Sequence, residues 1–207
     1  MNPRLTKVLW LTGAVSSVLI ALISYRYFVP AIPAPDSITS NPMAHPWLWV
    51  HAGFAATALL VGPWQFLSRV RARWPKVHRW TGRIYVFACL IGGFAGLLIA
   101  SGSTAGPIAR AGFGLLAVVW LGVNVQAYRL ALARRFPEHR EWMIRSFALT
   151  FAAVTLRIEM PLAAVLHLDP LASYRAISWL AWVPNLALAE LYLRGLPLRR
   201  RAAPALP

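Results

Sequence analysis

Residues 74–85 read WPKVHRWTGRIY, and residues 137–147 read PEHREWMIRSF. Each copy runs from proline to His-Arg, then to tryptophan, arginine and an aromatic. The residues are His78, Arg79, Trp80, Arg83 and Tyr85 in one copy, and His139, Arg140, Trp142, Arg145 and Phe147 in the other. Neutral imidazole is an axial ligand for haem iron, and a guanidinium fork holds a carboxylate or phosphate by two parallel bonds. On that chemistry His78 and His139 would ligate a haem b, while Arg79, Arg83, Arg140 and Arg145 would hold its propionates. The same residue types also form a collar of Trp and Arg at a membrane surface, where they meet anionic headgroups. Residue types alone leave both readings open.

A second set of reactive groups lies within apolar stretches. His51, Arg157, Glu159, His167 and Glu190 are flanked by hydrophobic runs, and an ionisable group in such a run is costly unless it has a partner or a task. Arg157 and Glu159 are two apart, so on a helix they point to different sides and each calls for a partner from another helix. Pro161, four residues after Arg157, leaves the Arg157 carbonyl without its helical N–H and bends the chain there. Rise per residue puts His51, Arg157, Glu159 and Asn185 at similar depths. These four are expected to form a polar cluster in the outer half of the membrane, and His51 with His167 would supply a second haem pair near that face.

Such residues must be positioned by membrane helices. The chain is 58% hydrophobic and only 13% charged, about half the charge of an ordinary soluble domain. A bilayer core of about 30 Å takes roughly 20 apolar residues of helix. Six segments meet that need, at about 7–28, 45–68, 78–100, 106–128, 143–168 and 171–194. They predict an all-α, polytopic transmembrane bundle of about six helices. The chain then divides into an N-terminal signal-anchor helix (1–28), a periplasmic loop rich in proline and therefore extended (29–44), a five-helix membrane domain containing two similar hairpins (45–195), and a basic tail expected to be disordered (196–207). Arg4 and Lys7 ahead of a long apolar run fit a retained anchor, although Ala31 to Ala34 leave cleavage open.

The charges orient the bundle. Lys and Arg number 21 against 6 Asp and Glu. Arg4 and Lys7 precede the first segment. Arg69, Arg71, Arg73, Lys76, Arg79 and Arg83 fall between the second and third. Arg129, Arg134, Arg135, Arg140 and Arg145 fall between the fourth and fifth, and Arg194, Arg199, Arg200 and Arg201 follow the sixth. The opposite side has only Arg26, Arg110 and Arg175. Positive residues stay on the cytoplasmic side, so both termini are expected there, in a bacterial inner membrane. The partners expected are the bilayer itself, with anionic headgroups at the cytoplasmic face, and a second copy of the chain. Nucleic acid is not expected, because the basic residues sit in gaps between apolar runs and not on a polar fold.

The stretches His51 with Gly53, GPWQF at 62–66, HRWTGRIY at 78–85, HREWMIRS at 139–146 and TLRIE at 155–159 resemble the bacterial predicted membrane proteins of domain-of-unknown-function family 2306. The resemblance covers about residues 44–195 and implies a multi-helix membrane protein without implying a reaction. The layout is also similar to two-haem membrane cytochromes b, a likeness of architecture that implies haem only by analogy. The sequence has no HExxH, P-loop, CxxC or serine-nucleophile motif. The readings that remain are a membrane protein with a polar site in its outer half, a haem-b electron carrier, and a transporter or lipid-binding protein.

Overall fold

The structure, a computed structural model, describes the backbone of residues 3–29 and 36–202 and the side chains of residues 7–29 and 38–195. The α-helices are α1 (Pro3–Ser24), α2 (Asp36–Thr39), α3 (Trp47–Val61), α4 (Ser68–Arg73), α5 (Pro75–Ser101), α6 (Pro107–Leu132), α7 (Phe136–Thr150), α8 (Ala152–Val165), α9 (Pro170–Leu180) and α10 (Val183–Ala202). Short 3-10 turns follow α1 at Tyr25–Phe28 and α3 at Pro63–Phe66. No strand occurs among the described residues. Five stretches are long and apolar enough to cross a bilayer: Lys7–Phe28, Pro75–Ser101, Pro107–Leu132, Phe136–Val165 and Pro170–Gly195.

Prolines set the helix starts. Pro75, Pro107, Pro137 and Pro170 each lie in the first turn of their helix, where a missing N–H has no intrahelical acceptor to lose. The spans expected from residues 78 and 143 therefore begin earlier, at Pro75 and Phe136. Both His-Arg elements are the opening turns of helices, and their prolines start those helices.

The segment expected to span 45–68 is different. Pro63 ends α3 after 15 residues, about 22 Å of rise and short of a bilayer core. The chain nonetheless keeps running antiparallel along α5. The His51 ring bonds the Gly92 carbonyl at 2.8 Å, and Gln65 Nε2 donates to Thr81 Oγ1 at 2.7 Å. Two further expectations change. The 29–44 loop contains one helical turn, α2, and residues 30–35 lie outside the described residues. The tail expected to be disordered continues the backbone of α10 as far as Ala202. Residues 203–207 lie outside the described residues.

The bundle sorts its charges by end. At one end Trp10 Nε1 of α1 donates to the Pro63 carbonyl, Arg71 Nη1 to the Gln65 carbonyl, and the His139 ring bonds the Ala127 carbonyl. Lys7, Arg69 to Arg83 and Arg129 to Arg145 gather there. At the other end Trp49 Nε1 donates to the Tyr27 carbonyl and Asn41 Nδ2 to the Ile99 carbonyl. Arg110 and Arg175 tie down the turn between α5 and α6 by donating to the Ser103 and Ala105 carbonyls at 2.8 and 2.7 Å.

The main core lies where α5, α6 and α7 meet, around Tyr85, Cys89, Trp120, Val123, Ala127 and Met143. Lipid tails are as apolar as leucine, so membrane helices gain most from close backbone approach at small residues. Gly112 shows this most clearly: a Cβ there would lie 2.3 Å from Ser178 Oγ and 2.8 Å from the Ser178 carbonyl oxygen. At that point α6 touches α9 backbone to backbone. Gly122, on the same helix, has nothing within 4 Å of its Cβ position. Gly112→Val should therefore cost about 2 kcal/mol or more of stability through overpacking. Gly122→Ala should be neutral or gain up to about 1 kcal/mol. Thermal unfolding in detergent checks the ranking, and the reverse order would contradict the α6–α9 contact.

Candidate functional site

At the centre of the bundle, side chains of α5, α6 and α7 form one hydrogen-bonded network. The Tyr85 hydroxyl lies 2.8 Å from both Ser146 Oγ and Thr150 Oγ1. Trp120 Nε1 donates to Thr150 Oγ1 at 3.0 Å, Ser146 Oγ donates to Asn124 Oδ1 at 2.8 Å, and Asn124 Nδ2 donates to the Trp120 carbonyl at 2.8 Å. Hydroxyls carry one proton each, which fixes the direction of the chain. Ser146 gives its proton to Asn124, so Tyr85 is the donor to Ser146. Thr150 accepts from Trp120 and has its own proton for the Ser146 carbonyl, 2.9 Å away, or for Tyr85. Tyr85, Asn124 and Ser146 are all 0% exposed. Sequence reasoning named Tyr85 only as the aromatic of the first His-Arg element and gave Ser146 and Thr150 no role. The available signal was the spacing of Ser146 and Thr150, one turn apart on one face of α7.

The four residues expected to cluster, His51, Arg157, Glu159 and Asn185, are not bonded to one another among the described residues. Asn185 Nδ2 donates to Thr155 Oγ1 and to the Ala181 carbonyl. His51 is committed to α5: its Nδ1 faces the Gly92 carbonyl, which can only accept, and the ring fits because Gly96 has no side chain, a Cβ there lying 2.9 Å from Nδ1. Arg157 Nη1 donates to the Ala153 carbonyl of its own helix at 3.0 Å. Glu159 Oε2 is buried with no partner among the described residues. Depth along a helix says nothing of azimuth, and no hydrogen bond among the described residues joins any two of the four, although His51 and Arg157 stand near enough for their charges to interact.

The two His-Arg elements repeat a local geometry and then diverge. Arg83 lies over the Trp80 ring and Arg145 over the Trp142 ring, each 5.1 Å from the centroid, a cation–π contact across one turn. Arg145 also grips Glu190 of α10 with both arms, Nε to Oε1 at 2.5 Å and Nη2 to Oε2 at 3.1 Å. Arg83 is exposed and pairs with no carboxylate among the described residues. Arg79 and Arg140 are exposed. Arg135 pairs with Glu138 at the surface.

A haem needs paired imidazoles across a cavity. A carbonyl on Nδ1 is how a ligating histidine is commonly held, and His51 and His139 both have one. The rest of the arrangement does not fit. His167 is exposed in the turn after α8, at φ 52°, whereas His51 faces α5. His78 and His139 stand near enough for their charges to interact, but the interior beside them is the filled core around Tyr85 and Met143. Two depressions on the surface of the described residues are lined without histidine. One is an open groove lined by Tyr25, Phe28, Trp49, Val50, Gly53, Phe54 and Thr57, the other a half-open one lined by Ile20, Ile23, Arg26, Tyr27 and Arg157.

A family profile described as "Predicted membrane protein (DUF2306)" matches residues 48–193. The chain belongs to that family. No curated protein and no solved structure matches it. The DUF2306 region takes in both His-Arg elements, the central network and Arg157, and leaves α1 outside. Arg26 and Tyr27 are thus brought to Arg157 by a helix that the DUF2306 match does not include.

The Arg145–Glu190 pair gives a test of how the DUF2306 bundle closes. The side chains are 19% and 35% exposed, so the contribution is discounted from that of a fully buried pair to about 1–2 kcal/mol. Glu190→Gln should lower the unfolding midpoint in detergent. The swapped Arg145→Glu, Glu190→Arg protein should recover part of the loss. Equal stability of all three proteins would show that α7 and α10 do not depend on the pair.

Proposed function

We propose that this protein is a bacterial inner-membrane protein with six crossings and both termini in the cytoplasm, and that its work is the binding of anionic lipid. One observation carries the reading. Basic residues from separate stretches of sequence converge on one end of the bundle, where Trp64, Trp74 and Trp80 are 44%, 54% and 64% exposed. Tryptophan at the headgroup level with Lys and Arg beside it is the pattern of a protein seated in an anionic leaflet. Short α4, with Arg69, Arg71 and Arg73 all exposed, would lie in that interface. In the six-crossing arrangement α3 and the 3-10 turn after it make the second crossing, α7 with α8 the fifth, and α9 with α10 the sixth.

A second reading, a carrier, is favoured by the break in each of the last two crossings, at Phe151 and at Ala181–Trp182. Paired discontinuities of this kind are where transporters bend around a substrate. Near these breaks the Thr155–Asn185 bond joins the two crossings.

Reporter fusions test the topology: a fusion after Gly102 should report the periplasm and one after Gly195 the cytoplasm. The reverse result at either point would overturn the arrangement. For lipid binding, nanodiscs of phosphatidylglycerol should raise the unfolding midpoint over phosphatidylcholine. That gain should shrink in salt and in a variant carrying Arg71→Gln, Arg73→Gln, Lys76→Gln and Arg79→Gln, since each surface cation near an anionic leaflet is worth about 1 kcal/mol. A gain unaffected by the four substitutions would remove the basic end from the account.

A further inference from the structure

Four arginines lie away from the basic end of the bundle, and two of them are employed by the fold. Arg110 and Arg175 donate to the carbonyls of the α5–α6 turn. The other two, Arg26 and Arg157, meet at a cavity of about 220 Å³ between the end of α1 and α8, walled by Ile20, Ile23 and Tyr27. Arg26 is stacked against the Tyr27 ring at 5.2 Å. The backbone beneath it is pinned by the bond from Trp49 Nε1 to the Tyr27 carbonyl. Among the described residues Arg157 makes one hydrogen bond, to the carbonyl one turn back on its own helix, although a guanidinium has five N–H groups to place.

Among the described residues no carboxylate pairs with either arginine. Glu190 is held by Arg145, Asp169 caps α9 through the Ala172 N–H, and Glu159 Oε2 is buried without a partner. Two like charges facing one cavity repel, and a guanidinium in an apolar span is costly without a counter-charge. The cavity therefore has the chemistry of an anion site: two forks with free donors, a tyrosine beside them, and apolar walls. Ile23 and Leu19, 51% and 54% exposed, continue the apolar side of α1 towards lipid.

We propose that Arg26 and Arg157 bind the phosphate or carboxylate headgroup of a single anionic amphiphile in the outer half of the membrane, with its apolar part lying against Ile20 and Ile23. This site is at the opposite end from the basic collar; only its assignment to the outer half rests on the proposed topology, and the binding itself does not.

Native mass spectrometry of the full chain in neutral detergent tests the site, with phosphatidylglycerol, phosphatidylcholine, oleate and inorganic phosphate as probes. Wild-type protein should retain one phosphatidylglycerol or oleate that Arg157→Gln binds at least tenfold more weakly, and phosphatidylcholine should not compete. Arg26→Gln should weaken the same binding and carries the test should Arg157→Gln fail to fold. Arg157→Lys, which keeps the charge and loses the fork, should fall between. Inorganic phosphate bound as tightly as the amphiphiles would assign the headgroup chemistry to a soluble anion and overturn the lipid part of the proposal. Equal amphiphile binding by wild type, Arg157→Gln and Arg26→Gln would overturn the site altogether. The variant with four substitutions at the basic end should bind this single amphiphile as wild type does, so a failure of the collar and a failure of this site can be told apart.

Discussion

Inside a bilayer a polar group can be satisfied only by other protein groups or by water carried in with them, and the central network of Tyr85, Ser146, Thr150, Trp120 and Asn124 meets that constraint for α5, α6 and α7 at once. Burial of apolar surface cannot hold these helices together, since lipid offers them an equally apolar environment. Hydrogen bonds between membrane helices contribute on average about 0.6 kcal/mol and at most about 1.7. Several bonds sharing the same hydroxyls therefore amount to a few kcal/mol, a large part of the roughly 5–15 kcal/mol that stabilises a typical domain. Contacts that attach other helices to this centre include His51 on the Gly92 carbonyl for α3, the Gly112–Ser178 approach and the Trp179 bond to the Ile108 carbonyl for α9, and the Arg145–Glu190 fork for α10.

The two His-Arg elements show how one local pattern is put to two uses. Both open a helix with proline in its first turn, and both lay an arginine over a tryptophan one turn earlier. From there the surroundings decide. Arg145 faces α10 and finds Glu190, whereas Arg83 points outward at the basic end. Tyr85 and Phe147 occupy matching places in the two copies, yet Tyr85 is a hub of the network and Phe147 packs against Phe66 and Phe151. A repeated sequence motif here is a repeated helix start, with separate roles for its side chains.

The all-α class, the long apolar segments and the gathering of basic residues were legible in the sequence, because each depends on composition along a single helix. Helix starts were read late at Pro75 and Phe136, because proline is both a loop residue and a first-turn residue. The shortness of α3 followed from Pro63, which composition averaged over a window conceals. The partners of the buried ionisable groups were not legible. Arg157 meets Arg26 and Tyr27 of the 3-10 turn after α1, and Asn185 meets Thr155 of α8. Such pairings depend on which helices are neighbours and how each is rotated about its axis, and spacing along one chain carries neither.

The most direct test of the central constraint is a double-mutant cycle on Asn124 and Tyr85, which are linked through the Ser146 hydroxyl. Asn124→Leu and Tyr85→Phe would be measured alone and together by reversible unfolding in detergent. Each should cost about 1 kcal/mol, and the pair should fall short of the sum by at least about 0.5 kcal/mol, because both substitutions disturb the same hydroxyl. Losses that simply add, or no loss in either single variant, would contradict a shared network at the centre of the bundle.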